Sequence, residues 1–176
     1  MKVITESNNF YYREIEYSDI DDMFLLESDP DTHKYLVSKP VLNKSEVENI
    51  ISYYRSQYKL YGFCRWAIIS KTDNRFIGWA GLKFETESLL NQSNFFDFSG
   101  RISKNYWRKG YSREVTETCI KYGFKELDLI KIIAMSRIDN SLSNNLLRKS
   151  GFELKSNFQF LQETYNWHEI INNLKK

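Results

Sequence analysis

The segment from Gly100 to Phe152 constrains this chain more than any other. A strand-like run, Gly100-Arg101-Ile102-Ser103, turns through Asn105-Tyr106-Trp107-Arg108-Lys109-Gly110-Tyr111-Ser112. An amphipathic stretch, Arg113 to Leu127, follows, then an apolar run, Ile130 to Ile138. Asn140-Ser141-Leu142-Ser143 opens a short helical pattern that closes at Gly151-Phe152. Two strands joined through a helix of this length run parallel, with a right-handed crossover. Val115, Cys119, Tyr122 and Leu127, widened by Ile120 and Phe124, give the long helix one buried face.

The turn before that helix carries the chemistry. The first amides of a helix lack intrahelical partners, and its dipole favours an anion. Gly110 permits a positive φ or a close backbone approach, and Arg108 and Lys109 add positive charge nearby. The turn lacks G-x-G-x-x-G and the Lys-Ser/Thr ending of a P-loop, which argues against dinucleotide and nucleoside triphosphate sites. An ordinary turn with an N-cap has the same local pattern.

Upstream, Phe10 to Ile15 reads as a strand near an edge, and Ser18 or Asp19 caps a helix with Ile20, Met23 and Phe24 on its apolar side. Asp29-Pro30-Asp31 breaks that helix. A second helix starts at Asn43, with Glu46 as its capping-box partner, carries Val47, Ile50, Ile51, Tyr54 and Tyr58, and ends at Gly62. The period then changes to two: Arg65 to Ile69, Phe76 to Phe84 and Phe95 to Ser103 read as antiparallel strands, with the polar stretch Glu85 to Asn94 between the last two. Leu142, Leu146 and Leu147 line the short helix, and Phe158 to Leu161 and Trp167 to Leu174 supply two terminal strands.

Length and composition exclude several classes. The 176 residues suit one domain over residues 1–176 with a sizeable core, and 12 Tyr and 12 Phe make that core and at least one groove ring-rich. A formal charge of +2, without a dense basic stripe, argues against a direct nucleic-acid partner. Two distant cysteines and two histidines give neither a disulfide framework nor a metal cage. Without an apolar run of membrane-spanning length or a signal-peptide core after Met1, a soluble cytoplasmic protein, with no membrane partner, is expected.

Three motifs together resemble the GNAT-fold N-acetyltransferases, nearest the ribosomal-protein alanine/serine and diamine (spermidine) acetyltransferases. Trp107 to Glu114 is similar to the branch's acetyl-CoA pyrophosphate loop, W-G-K-G-Y-A-T-E. Asn140 to Ser143, with Leu147-Arg148-Lys149-Ser150-Gly151-Phe152, is similar to N-x-x-S…L-x-K-x-G-F, and Phe76 to Leu82 resembles the central F-I-G-x-x-G-L. The resemblance runs from about Phe10 to the C-terminus.

It implies an α/β fold of the α+β mixed kind: a mostly antiparallel sheet of about seven strands, flanked by helices and splayed between its fourth and fifth strands, Phe95 to Ser103 and Ile130 to Ile138. It further implies that amides from Arg108, Lys109, Gly110, Tyr111 and Ser112 cradle the acetyl-CoA pyrophosphate, that the Ile102 amide holds the thioester carbonyl, and that Asn140 and Ser143 serve the pantetheine arm. The branch has glycine where Arg108 stands and alanine where Ser112 stands. Many relatives carry at Leu147 a tyrosine that protonates the leaving thiolate; here that role falls to Ser143 or a water.

The implied reaction is acetyl transfer to a primary amine by direct attack, the acceptor being a protein N-terminus or a small amine such as a polyamine or aminoglycoside. An ammonium with a pKa of about 10 needs a base before it attacks. Asp97, on the strand lining the splay, is the first candidate and Glu85 the second, while an ion pair between Asp97 and Arg101 and an exposed hairpin end are their ordinary readings. His33 and Asp31 lie where the resemblance puts the acceptor, Tyr61 and Tyr53 are candidate walls, and Asp29, Asp31 and Glu87 are acids that suit a cation. Asn140 and Ser143 read equally as a helix cap, Cys119 as core, and His168 as a strand residue near the C-terminal lip. A non-catalytic acyl-CoA-binding module on the same fold is the alternative, and exposed strand edges leave room for a homodimer.

Overall fold

The computed structural model describes residues 2–36 and 38–173. Its eight strands are β1 (Val3–Glu6), β2 (Phe10–Glu14), β3 (Arg65–Ser70), β4 (Phe76–Glu85), β5 (Phe95–Ile102), β6 (Lys131–Arg137), β7 (Glu153–Phe160) and β8 (Glu163–Ile171). Five α-helices accompany them: α1 (Ile20–Glu27), α2 (Pro30–His33), α3 (Lys44–Tyr61), α4 (Tyr111–Lys125) and α5 (Ser141–Lys149). One sheet holds the strands in the order β1-β2-β3-β4-β5-β6-β8-β7. All neighbours are antiparallel except β5 and β6.

The sheet separates two cores. On one face, Trp66, Ile68, Leu82, Phe98 and Ile132 pack under Val115 and Cys119 of α4 and Leu147 of α5. On the other, Ala67, Ile69 and Trp79 pack under Met23 and Leu26 of α1 and Val47 and Ile51 of α3. β3 is buried along its whole length because it feeds both cores. Each fully buried Ile or Leu in these clusters contributes about 1.5–3 kcal/mol by leaving water. Gly123 lets α4 sit low on the sheet, since a Cβ there would come within 2.6 Å of Leu82 and 2.8 Å of Ile132.

Several local expectations hold. Asn43 caps α3, its side chain accepting from the Glu46 amide, and the helix runs to Gly62. Glu46 replies to the Asn43 side chain at 2.9 Å and to the Leu42 amide at 3.4 Å. Asp29-Pro30-Asp31 does interrupt α1, but Asp29 then caps α2, with Pro30 in its first turn. Around Asp19 the cap is a 3₁₀ turn, Tyr17–Asp19, and the Asp19 carboxylate accepts from the Glu16 amide and from Arg13.

Other expectations need correction. Eight strands replace about seven because Val3–Glu6 pairs along β2, so the strands expected to splay are the fifth and sixth. The terminal hairpin starts earlier than expected, at Glu153 and Glu163. Leu142 stands 80% exposed at the start of α5, while Leu147 is buried. Leu174 lies outside the described residues.

Candidate functional site

The parallel ladder is short. β5 pairs with β6 at Asp97–Ile133 and Phe98–Ala134 only, although β5 stays paired with β4 as far as Ile102 and β6 with β8 as far as Arg137. Beyond Phe98 and Ala134 the two strands diverge, and their facing edges carry backbone groups outside any ladder. An extended ligand with amide groups can pair there as a strand would.

The turn into α4 sits at the open end of this gap. Trp107 Nε1 donates to the Ile102 carbonyl at 2.6 Å, which ties the turn to the end of β5. Arg108 and Gly110 both take left-handed φ, 61° and 79°. Arg108 therefore occupies the conformation that explains the glycine of the related sequences, at some steric cost to an L-residue. The first α4 amides bonded to a backbone carbonyl of the turn are those of Arg113 and Glu114, both to Gly110. The amides of Tyr111 and Ser112 precede that ladder, and a Cβ on Gly110 would meet nothing within 4 Å. This is a backbone concavity at a helix N-terminus, suited to an anion. Lys109 lies over the Tyr106 ring, 5.4 Å from its centroid.

On the far side of the gap, Asn140 caps α5, its Oδ1 accepting from the Ser143 amide at 3.1 Å. The next residue along, Asn144, seats the helix. Its side-chain nitrogen donates to the carbonyls of Arg137 and Asn140, and its Oδ1 accepts from Ser136 Oγ at 2.7 Å and Asn166 Nδ2 at 2.5 Å. His168 Nε2 lies 3.1 Å from both Ser136 Oγ and Asn144 Oδ1. The imidazole is buried, which pushes its pKa below the ordinary value, and among the described residues Nδ1 has no hydrogen-bond partner.

The α1–α3 face holds a cavity of about 460 Å³. Ile50, Tyr53, Tyr54 and Trp79 form its walls, with Glu27 and Arg101 at the end nearer the gap and Lys83 and Arg65 at the other. Glu27 is 5% exposed. Its Oε1 accepts from Trp79 Nε1 at 2.6 Å, and its Oε2 accepts from Arg101 and lies 3.5 Å from His33 Nε2. His33 Nδ1 sits 2.9 Å from the Ser38 carbonyl. A carbonyl only accepts, so Nδ1 carries the proton and the Nε2 lone pair of the neutral ring faces Arg101, 3.0 Å away.

The expected acceptor residues divide. His33 is buried in this cluster, with the orienting partners that the sequence did not reveal. Asp31 stays at the surface, where Lys104 reaches it at 3.4 Å and Asp29 at 3.2 Å. Tyr61 is not a wall of the cavity; its ring packs edge-on against Phe84, and Tyr53 and Tyr54 line the cavity instead. Asp97 stands where β5 and β6 come together, and its carboxylate binds Arg65 at 2.5 Å rather than Arg101. Arg65 also donates to the carbonyls of Gly81 and Asp97. Burial raises the Asp97 carboxyl, and Arg65 opposes that rise. Glu85 closes the opposite end of β4 and pairs with Lys83 at 2.6 Å. Both carboxylates are ion-paired, Asp97 with Arg65 and Glu85 with Lys83.

Cys64 and Cys119 are both buried, and burial pushes the Cys119 thiol up to about 12. That state suits packing, not nucleophilic attack. Among the described residues, no cluster of three or more His, Cys, Asp or Glu side chains could hold a metal ion, and no helix is long and apolar enough to cross a membrane. Sequence reasoning missed Glu27 and Arg101 as a pair; the one available signal was a carboxylate closing an apolar helix just before a proline break.

Comparison with known proteins agrees with this geometry. The acetyltransferase (GNAT) domain family model matches residues 9–153. The uncharacterized N-acetyltransferase YoaA of Bacillus subtilis (strain 168) is 26% identical over 150 residues, covering 85% of this chain and 82% of the relative. The structure of spermidine N-acetyltransferase from Vibrio cholerae, in complex with CoA and spermine, superposes with a TM-score of 0.77 at 18% identity, covering 93% of this chain and 95% of that one. Ribosomal-protein-S5-alanine acetyltransferase from Vibrio fischeri gives a TM-score of 0.73 at 16% identity over 98% of each chain. With the acetyltransferase (GNAT) domain model spanning most of its length, over a mixed sheet whose one parallel ladder is short, this chain belongs to the GNAT acetyltransferase family.

Proposed function

We propose that the protein transfers an acetyl group from acetyl-CoA to a primary amine by direct attack. The observation that carries this reading is the end of the β5–β6 ladder at Phe98–Ala134, with the N-terminus of α4 at the open end. Acetyl-CoA, when bound, supplies the activated carbonyl. The amides from Arg108 to Ser112 would hold its pyrophosphate, with positive charge from Arg108 and Lys109. The Ile102 backbone, Asn140 and Ser143 would serve the pantetheine arm and thioester. The residues fit that group: the space in front of Gly110 is open, and Arg108 and Gly110 take the left-handed φ found in anion-cradling turns.

The acceptor would enter from the other face, through the cavity under α1 and α3. Its nitrogen must lose a proton before attack, and Glu27 with His33 is the proton-accepting pair at the gap end of that cavity. Arg101, bonded to both, fixes their orientation. Ser143 or a water would return a proton to the leaving thiolate, because Leu147 is in the core. A cavity of about 460 Å³ takes a small amine or the first residues of a peptide.

The test is thiol release from acetyl-CoA over a panel of small amines and peptide N-termini, with calorimetric titration of acetyl-CoA. Acceptor-dependent release and binding weakened by Gly110→Glu are expected. Undiminished affinity in that variant would remove the turn from the site.

A further inference from the structure

The acceptor cavity is polar at both ends and apolar between them. Resting on the acetyl-transfer reading, we infer that its acceptor is an amine joined through an apolar body to a carboxylate, and not a polyamine. Tyr54 and Trp79 meet at 6.1 Å and Tyr53 and Tyr54 at 6.0 Å, so rings flank the middle of the cavity. Trp79 and Lys83 stand four residues apart on β4 and point to the same face, a separation of about 13 Å along an extended strand. The amine end is the Glu27–His33–Arg101 cluster. The other end is Lys83, whose ammonium lies 5.5 Å from the Tyr53 ring centroid and spends one donor on Glu85. An ammonium has three donors, and the side chain keeps 20% of its surface exposed.

A polyamine needs a second carboxylate for its second ammonium, and the cavity offers none. Among the described residues, Glu27 is the one carboxylate lining it, and it stands at the amine end. The acids just outside carry cations: Asp97 with Arg65, Glu85 with Lys83, and Asp29 and Asp31 with Lys104. A second ammonium reaching the far end would lie beside Lys83, a like charge in a partly desolvated place. A carboxylate there gains the ammonium donors.

Three matched acceptors test this: aminooctanoate, octylamine and diaminooctane, measured by CoA release and, independently, by calorimetric binding of each amine to the full chain. The wild type should prefer aminooctanoate over diaminooctane by about tenfold or more. Lys83→Met should reduce the aminooctanoate-to-octylamine ratio by about tenfold, because the substitution also leaves Glu85 uncompensated. Lys83→Glu should turn the preference toward diaminooctane. Equal or better use of diaminooctane by the wild type, or a Lys83→Met loss common to all three amines, overturns the inference. If no amine releases CoA but calorimetry shows Lys83-dependent aminooctanoate binding, the carboxylate site stands and the transfer reading falls.

Discussion

Glu27 and Arg101, 74 residues apart in sequence, form a largely buried ion pair against the Trp79 indole, and that pair joins the end of α1 to the part of β5 beyond its pairing with β6. The same Glu27 oxygen faces His33. One carboxylate thus links two helices and a strand at the end of the cavity nearest the gap.

Glu27→Gln keeps the shape and removes the charge. Loss of a positioned base should lower kcat/KM by about 10²-fold or more, while thermal unfolding reports the cost of leaving Arg101 without its counter-ion. Wild-type turnover in a folded Glu27→Gln protein would take the cluster out of the chemistry.

Asp97→Asn should act on stability first. It strips a buried guanidinium of its partner at a cost of about 3–5 kcal/mol, measured by urea unfolding. The double variant Arg65→Met/Asp97→Leu should recover most of that loss, since an apolar pair replaces a buried ionic one. The pH–rate profile of Asp97→Asn should keep the wild-type shape. A lost acidic limb would restore Asp97 as the base.

The turn before α4 separates conformation from contact. Arg108→Gly relieves a left-handed L-residue and should raise stability by about 1 kcal/mol, while weakening acetyl-CoA binding through lost charge. Gly110→Ala should cost about 1 kcal/mol through φ alone, because no neighbour stands within reach of the new methyl. Melting curves and calorimetry read the two effects apart.

His168 gives a pH dependence of known sign. Burial holds its native pKa below the ordinary 6.5, so the unfolded chain takes up the proton first. Its contribution to stability is complete above pH 6.5 and declines as pH falls from there through the lower native value. His168→Gln should flatten that part of the stability–pH curve relative to the wild type; parallel curves would show that the ring is not buried in the neutral form.

The sequence made the α4–β6 unit legible because its signals are local: a glycine turn, a helical apolar stripe and an isoleucine-rich run. It also placed Asp97 and Arg101 on one face of a strand, correctly. It paired them wrongly because Gly81, lacking a side chain, lets Arg65 reach across β4 to Asp97. A missing side chain on the neighbouring strand leaves no mark in the sequence near either partner. Glu27 escaped for the same reason, since its partners lie 52 and 74 residues downstream. β1 was missed because four residues, exposed or half-buried, hardly alternate.

The two cores on opposite faces of the sheet carry an evolutionary consequence. Substitutions among Ile50, Tyr53, Tyr54 and Lys83 alter the lining of one face, while the turn at Gly110 and the seat of α5 belong to the other. On the acetyl-transfer reading proposed above, selection can therefore retool what is acetylated while the donor machinery is inherited intact, with a single layer of backbone as the partition.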